Sequence, residues 1–148
     1  MKTVWRLLIK QHEKVLPWMI KNKRLGIGWG EIGDICSLGT FEAIVDAIKK
    51  RNDSHPKHAG KPAANVQHGS KSLFDFCYKM KPGDLVIISD RGKRRHVFEV
   101  KGEYEYVEPS KAKLNYRHQR RAILTRMDPN ELWQRAGGRL AKGTINFR

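Results

Sequence analysis

The apolar positions of the chain change their period several times, and each change marks a predicted element. Residues 3–9, with Val4, Trp5, Leu7, Leu8 and Ile9, predict an opening strand. A short helix is predicted around Pro17 to Lys23, with the proline early enough that its missing N–H costs nothing. Gly26 to Asp34 predicts a second strand dissolving into a glycine-rich loop. Phe41, Ile44, Val45 and Ile48 form a helical stripe that Thr40 is placed to cap. Residues 49–69, rich in Lys, His, Pro, Gly and Asn, predict a long mobile loop.

A further helix is expected where Leu73, Phe76, Cys77 and Met80 share a face. Ser72 with Asp75 fits a capping box, and Lys81-Pro82-Gly83-Asp84 is a stop signal. Leu85 to Ser89 is an unbroken apolar run, as in a buried strand. After a basic turn at 91–95, residues 96–107 alternate. Phe98, Val100, Tyr104 and Tyr106 face one way, and Glu99, Lys101, Glu103 and Glu105 the other. Residues 117–125 predict another strand. Asp128, Pro129 and Glu131 supply the cap, N1 proline and N3 acid of a last helix carrying Leu132 and Trp133, and 142–145 a closing strand. The expected architecture is α+β: one domain over 1–148, a curved mixed β-sheet of five to six strands flanked by short helices.

Charge narrows the partner. Thirty Lys and Arg against 15 acids leave a formal +15, which repels itself and calls for a polyanion. Nucleic acid fits better than a membrane, because no stretch approaches the roughly 18 apolar residues of a spanning helix. A charge at Arg6 interrupts the first apolar run, unlike a secretory leader. Cys36 and Cys77 lie far apart among apolar residues, so both are expected as buried thiols in a reducing, cytoplasmic compartment. No metal is expected, since His55 and His58 lack a second ligand pair. No cofactor is expected either. Gly28-x-Gly30-x-x-Gly33 matches the dinucleotide fingerprint only formally, because the following helix starts too late.

Three basic clusters stand out: Lys49-Lys50-Arg51, Arg91 with Lys93-Arg94-Arg95, and Arg117-His118-Gln119-Arg120-Arg121. The second and third contain no acid, so Lys93, Arg94, Arg95, Arg117, His118, Arg120 and Arg121 are expected to track a phosphate backbone. Trp5 and Trp133 sit among apolar neighbours and read as core. Trp29 is different: Gly26, Gly28 and Gly30 surround it, and the missing side chains let a base approach its face. Tyr106, at a strand end, is the better pocket candidate of the two strand tyrosines; Tyr104 reads more as core, and Trp18 is a further candidate ring. A separate reading pairs His12 with His118 for acid–base cleavage of RNA.

Ile27 to Asp34, Met80 to Ile87, Val100 to Tyr106, His118 to Arg121 and Gly143-Thr144-Ile145 stand in an order that resembles the EVE branch of the PUA-like superfamily, related to YTH domains. The chain is similar to the modified-base recognition modules at the N-termini of modification-dependent restriction nucleases. The resemblance implies a pseudo-barrel with a pocket for one flipped-out base and no catalytic residues. Trp29 would form a wall, Ser89 and Asp90 the rim, Tyr106 would complete the cage, and Arg120 and Arg121 match the basic strand. Leu124 and the long 52–69 segment depart from the family pattern. The implied partner is DNA carrying a modified base, with an RNA-binding PUA-like or YTH-like module as the alternative. Any cutting or motor activity falls to a nuclease or NTPase partner or domain.

Overall fold

The computed structural model describes residues 2–9, 12–54, 63–108 and 116–137. It is α+β, with a five-stranded mixed sheet and four α-helices among the described residues. Two compact units divide the chain, each assembled from separated segments: Met1–Gly26, Met80–Glu103 and Arg120–Arg148 in the first, Ile27–Lys79 and Tyr104–Gln119 in the second.

In the sheet, β1 (Val4–Leu8) runs parallel to β3 (Leu85–Asp90), and β3 is antiparallel to β4 (Lys93–Tyr106). β5 (His118–Leu124) and β2 (Arg24–Ile27) complete the order β1-β3-β4-β5-β2. β3 is buried along its whole length, which is why its sequence is an apolar run rather than an alternation. On one face Leu85, Ile87 and Val97 pack with Leu132 and Trp133 of α4 (Pro129–Arg135). Asp128 caps that helix, accepting from the Glu131 N–H at 2.9 Å. The β3–β4 connection is the two-residue turn Arg91-Gly92, both left-handed at φ 50 and 76. That backbone matches the right-handed twist of the strands it joins.

Asp84 is the polar anchor of the first unit. Fully buried, it accepts from the Thr3 N–H (3.0 Å), the Trp5 indole N–H (2.9 Å), the Lys81 N–H (3.1 Å) and the Lys81 ammonium (3.0 Å). Burial works to raise its pKa, but these donors outweigh it and hold the carboxyl below its usual value.

The second unit is built on α2 (Phe41–Ser54) and α3 (Ala63–Phe74), which continues as a π-helical turn over Asp75–Lys79. Thr40 caps α2, its hydroxyl accepting from the Ala43 N–H at 3.1 Å. Ile44, Val45 and Ile48 form the buried stripe.

Several expectations are corrected. α1 (His12–Asn22) starts earlier than expected and holds Pro17 inside, so Glu13 loses its usual intrahelical donor. The 49–69 loop is mostly helix: α2 runs to Ser54 and α3 starts at Ala63, with 55–62 outside the described residues. A helix packing along one narrow stripe needs few apolar residues, and α3 buries Val66, Gly69, Ser70 and Leu73 on its way to the expected Phe76 and Cys77. Ser72 and Asp75 therefore sit mid-helix rather than at a cap, with Asp75 between the ammonium groups of Lys71 (2.5 Å) and Lys79 (3.6 Å). β2 ends at Ile27, before the glycine-rich segment. Cys36 is exposed, whereas Cys77 is buried as expected. The closing strand at 142–145 lies outside the described residues. Among the described residues, no helix is long and apolar enough to cross a membrane.

Replacing Asp84 with Asn keeps its shape but turns one acceptor into a donor facing donors. The expected loss is about 1–3 kcal/mol, read as a lower urea midpoint with an unchanged m-value.

Candidate functional site

Trp29, Tyr104, Tyr106, Arg117 and His118 all belong to the second unit. Trp29 follows β2 and is left-handed, at φ 61 and ψ 29. For a bulky residue that conformation costs on the order of 1–3 kcal/mol and persists only where surroundings impose it. Two sets of contacts do so here.

The first is steric. A Cβ placed on Gly69 of α3 would stand 3.0 Å from Cζ2 and 3.2 Å from Cε2 of the Trp29 indole, and 3.4 Å from Cδ1 of Ile48. Glycine inside a helix costs about 1 kcal/mol against alanine, and the close approach of the ring accounts for it. The indole stays half-buried. A Cβ on neighbouring Gly28 would meet nothing within 4 Å, so space is open beside the tryptophan.

The second is polar. The Trp29 carbonyl accepts from His118 Nε2 at 2.9 Å as well as from the Ile32 N–H at 3.2 Å. The Gly30 carbonyl accepts from the Tyr106 hydroxyl at 2.9 Å, the Gly33 N–H at 3.3 Å and Arg117 Nη1 at 3.4 Å. A carbonyl can only accept, so His118 carries its hydrogen on Nε2. Nδ1 then accepts from the Tyr104 hydroxyl at 2.8 Å, whose oxygen receives the Ile35 N–H at 3.2 Å. With a neutral imidazole, each group in this relay donates in one direction. Burial pushes the His118 pKa down, and its bond to Trp29 and the charges of Asp34 and Glu31 only partly offset that. Burial also pushes the Tyr104 phenol well up, keeping it a donor.

The structure gives the two strand tyrosines a positioning role. Tyr104 and Tyr106 commit their hydroxyls to the relay and to Gly30, so they position the Trp29 segment. Ser89 and Asp90 are buried on β3 in the first unit, opposite Arg94 and Lys93 in register. Trp18, also in the first unit, is half-buried on α1, its carbonyl accepting from the Asn22 amide at 2.9 Å. Among the cations, Lys93 and Arg121 are exposed, and Arg94, Arg95 and Arg117 half-buried.

Two of the expected phosphate contacts are corrected. Arg120 is only 1% exposed. Its Nη1 donates to the Gly102 carbonyl at 2.9 Å and lies 3.9 Å from Glu103, which makes it a strut between β4 and β5. His118 is fully buried with both ring nitrogens bonded, so it offers neither a phosphate contact nor half of an acid–base pair. The residue that sequence reasoning missed is Gly69; an isolated glycine in a helical stretch is the signal that could have found it. Among the described residues, no three His, Cys, Asp or Glu side chains group to hold a metal ion.

The fold and site define an α+β domain with a half-buried tryptophan fixed on a hydrogen-bonded segment, a class without an implied reaction. The chain belongs to the family described as Domain of unknown function (DUF8426), whose model matches residues 5–134. No curated protein and no solved structure matches it.

Two outcomes test this geometry. Gly69→Ala should lower the thermal midpoint instead of raising it as helix propensity alone would. His118 has a folded-state pKa below its ordinary 6.5, so the unfolded chain takes up the proton first as pH falls. Its contribution is full above about pH 6.5 and is lost toward the lower folded value. The stability gap between wild type and His118→Phe should therefore shrink from about pH 7.5 to about pH 5 in urea titrations.

Proposed function

We propose that this domain is a non-enzymatic nucleic-acid reader in which one modified base, flipped out of DNA, stacks on Trp29. The observation that carries the reading is the half-buried indole on a strained backbone, packed close to Gly69, on a segment whose carbonyls accept from His118, Tyr106 and Arg117. A ring fixed before the ligand arrives loses little freedom on binding, so more of the stacking energy is left for affinity. The formal charge of +15 supports a polyanionic partner. The mixed sheet with helices beside it is compatible with a pseudo-barrel of the EVE and PUA-like kind, working in the cytoplasm beside a nuclease or NTPase.

Magnitudes limit how such a reader discriminates. Flipping a base costs a few kcal/mol, and stacking on one aromatic ring returns about 1–3 kcal/mol. Burying one methyl group adds only about 0.8 kcal/mol. Discrimination beyond roughly fourfold therefore needs polar contacts to the base edge or exclusion of the unmodified base.

In fluorescence anisotropy with matched oligonucleotides, wild type should prefer methylated or hydroxymethylated DNA over plain DNA and over RNA of the same sequence. Trp29→Ala should remove the preference. Lys93→Ala, at an exposed cation, should weaken all DNA alike and reduce the salt slope by about one. Equal wild-type affinity for modified and plain DNA sinks the reading, and tighter binding to RNA transfers it to the PUA-like RNA-binding class.

A further inference from the structure

Five large apolar side chains stand at the surface among the described residues, and Tyr78, at 42% exposed, is the only ring among them. It belongs to the second unit, on the π-helical turn that continues α3. Its hydroxyl donates to the Ile35 carbonyl at 3.0 Å, so the side chain is held at both ends. Partial burial raises its pKa, with Cys36, Cys77 and Asp34 adding to the effect, which keeps the phenol a donor. The Phe74 ring lies 5.0 Å away, tilted at 46°, and Phe41 of α2 meets Phe74 edge-on at 6.0 Å. Phe74 and Lys79 are five residues apart, the span that a π-helical turn closes, and the Lys79 ammonium stands over the Phe74 ring at 6.0 Å. Lys71 and Lys79 are both more than half exposed, and both face the carboxylate of Asp75, which is only 1% exposed. Two cations against one acid leave this face positive, with the acid sealed beneath it.

We infer that Tyr78 and Phe74, flanked by Lys71 and Lys79, form a stacking platform for a base of single-stranded nucleic acid. The chemistry is that of rings interleaved with cations. The π-face of the fixed ring accepts any base, and the ammonium groups contact the phosphates beside it. A ring already anchored through its hydroxyl loses little freedom when a base stacks on it. Bases within a duplex are stacked on one another and offer no free face, so the fitting partner is an unpaired strand. This inference does not depend on how Trp29 is used, since it asks for neither a modified base nor a flipped one.

The test is fluorescence anisotropy of the full chain with a labelled oligothymidylate of about 10 nucleotides at fixed salt. Tyr78→Leu removes the ring and should weaken binding about fivefold or more, whereas Tyr78→Phe, which loses only the hydroxyl, should stay within about twofold of wild type. Lys79→Gln, at an exposed cation, should reduce the salt slope by about 0.7. Photocrosslinking of the wild-type chain to the same strand carrying 5-iodouracil covers the case in which Tyr78→Leu fails to fold. Mass spectrometry should place the adduct on Tyr78 or Phe74. No binding of the strand, a folded Tyr78→Leu that binds like wild type, or an equal loss in Tyr78→Phe overturns the inference. Adducts that map to Trp29 instead overturn it while leaving the modified-base reading intact, and equal affinity for modified and plain DNA sinks that reading without touching this one.

Discussion

The carbonyls of Trp29 and Gly30 are satisfied by side chains and by single-turn bonds, not by a strand ladder or an α-helix. That constraint organises the second unit. His118 must carry a hydrogen on Nε2 to serve Trp29, and burial favours its neutral form, in which Nδ1 accepts from the Tyr104 hydroxyl while the Tyr104 oxygen receives the Ile35 N–H. One tryptophan conformation thus fixes a tautomer, a hydroxyl direction and the start of the next turn. The glycine in α3 supplies the remaining condition, since a Cβ at position 69 would crowd the indole at 3.0 to 3.2 Å.

Charge is used in two ways. Some cations are structural: Arg120 bridges adjacent strands from a buried position, and Lys81 closes the cage of donors around Asp84. Others, such as Lys93 and Arg121, stand at the surface, where they add to a field that attracts polyanions. Net charge alone does not sort one from the other. The cluster 117–121 divides within five residues, because β5 lies between β4 and β2 and its first three residues are covered.

Much of the fold was legible in the sequence because patterning and packing agreed there. The apolar run of β3, the alternation of β4, the Thr40 cap and the Asp128-Pro129-Glu131 signature each follow from local rules, and the strand core and α4 obey them. The failures share a cause. The buried positions of α3 include the small residues Gly69 and Ser70, so its sequence looks like a loop until α2 is placed against it. Pro17 is tolerated within α1 despite its missing donor, and Cys36 stands in an apolar neighbourhood yet at the surface.

By itself the sequence determined the α+β class, the strongly cationic character and the singling out of Trp29, because these depend on composition, period and the absence of side chains at nearby glycines. Tertiary structure alone decided that Tyr104 and Tyr106 hold a peptide segment, that His118 is sealed and neutral, and that Phe41 meets the Phe74 ring edge-on. Those facts depend on which side chains share a few ångströms after distant residues have met, such as Gly30 and Tyr106, 76 positions apart, and Trp29 and His118, 89 apart, and no local pattern encodes that separation.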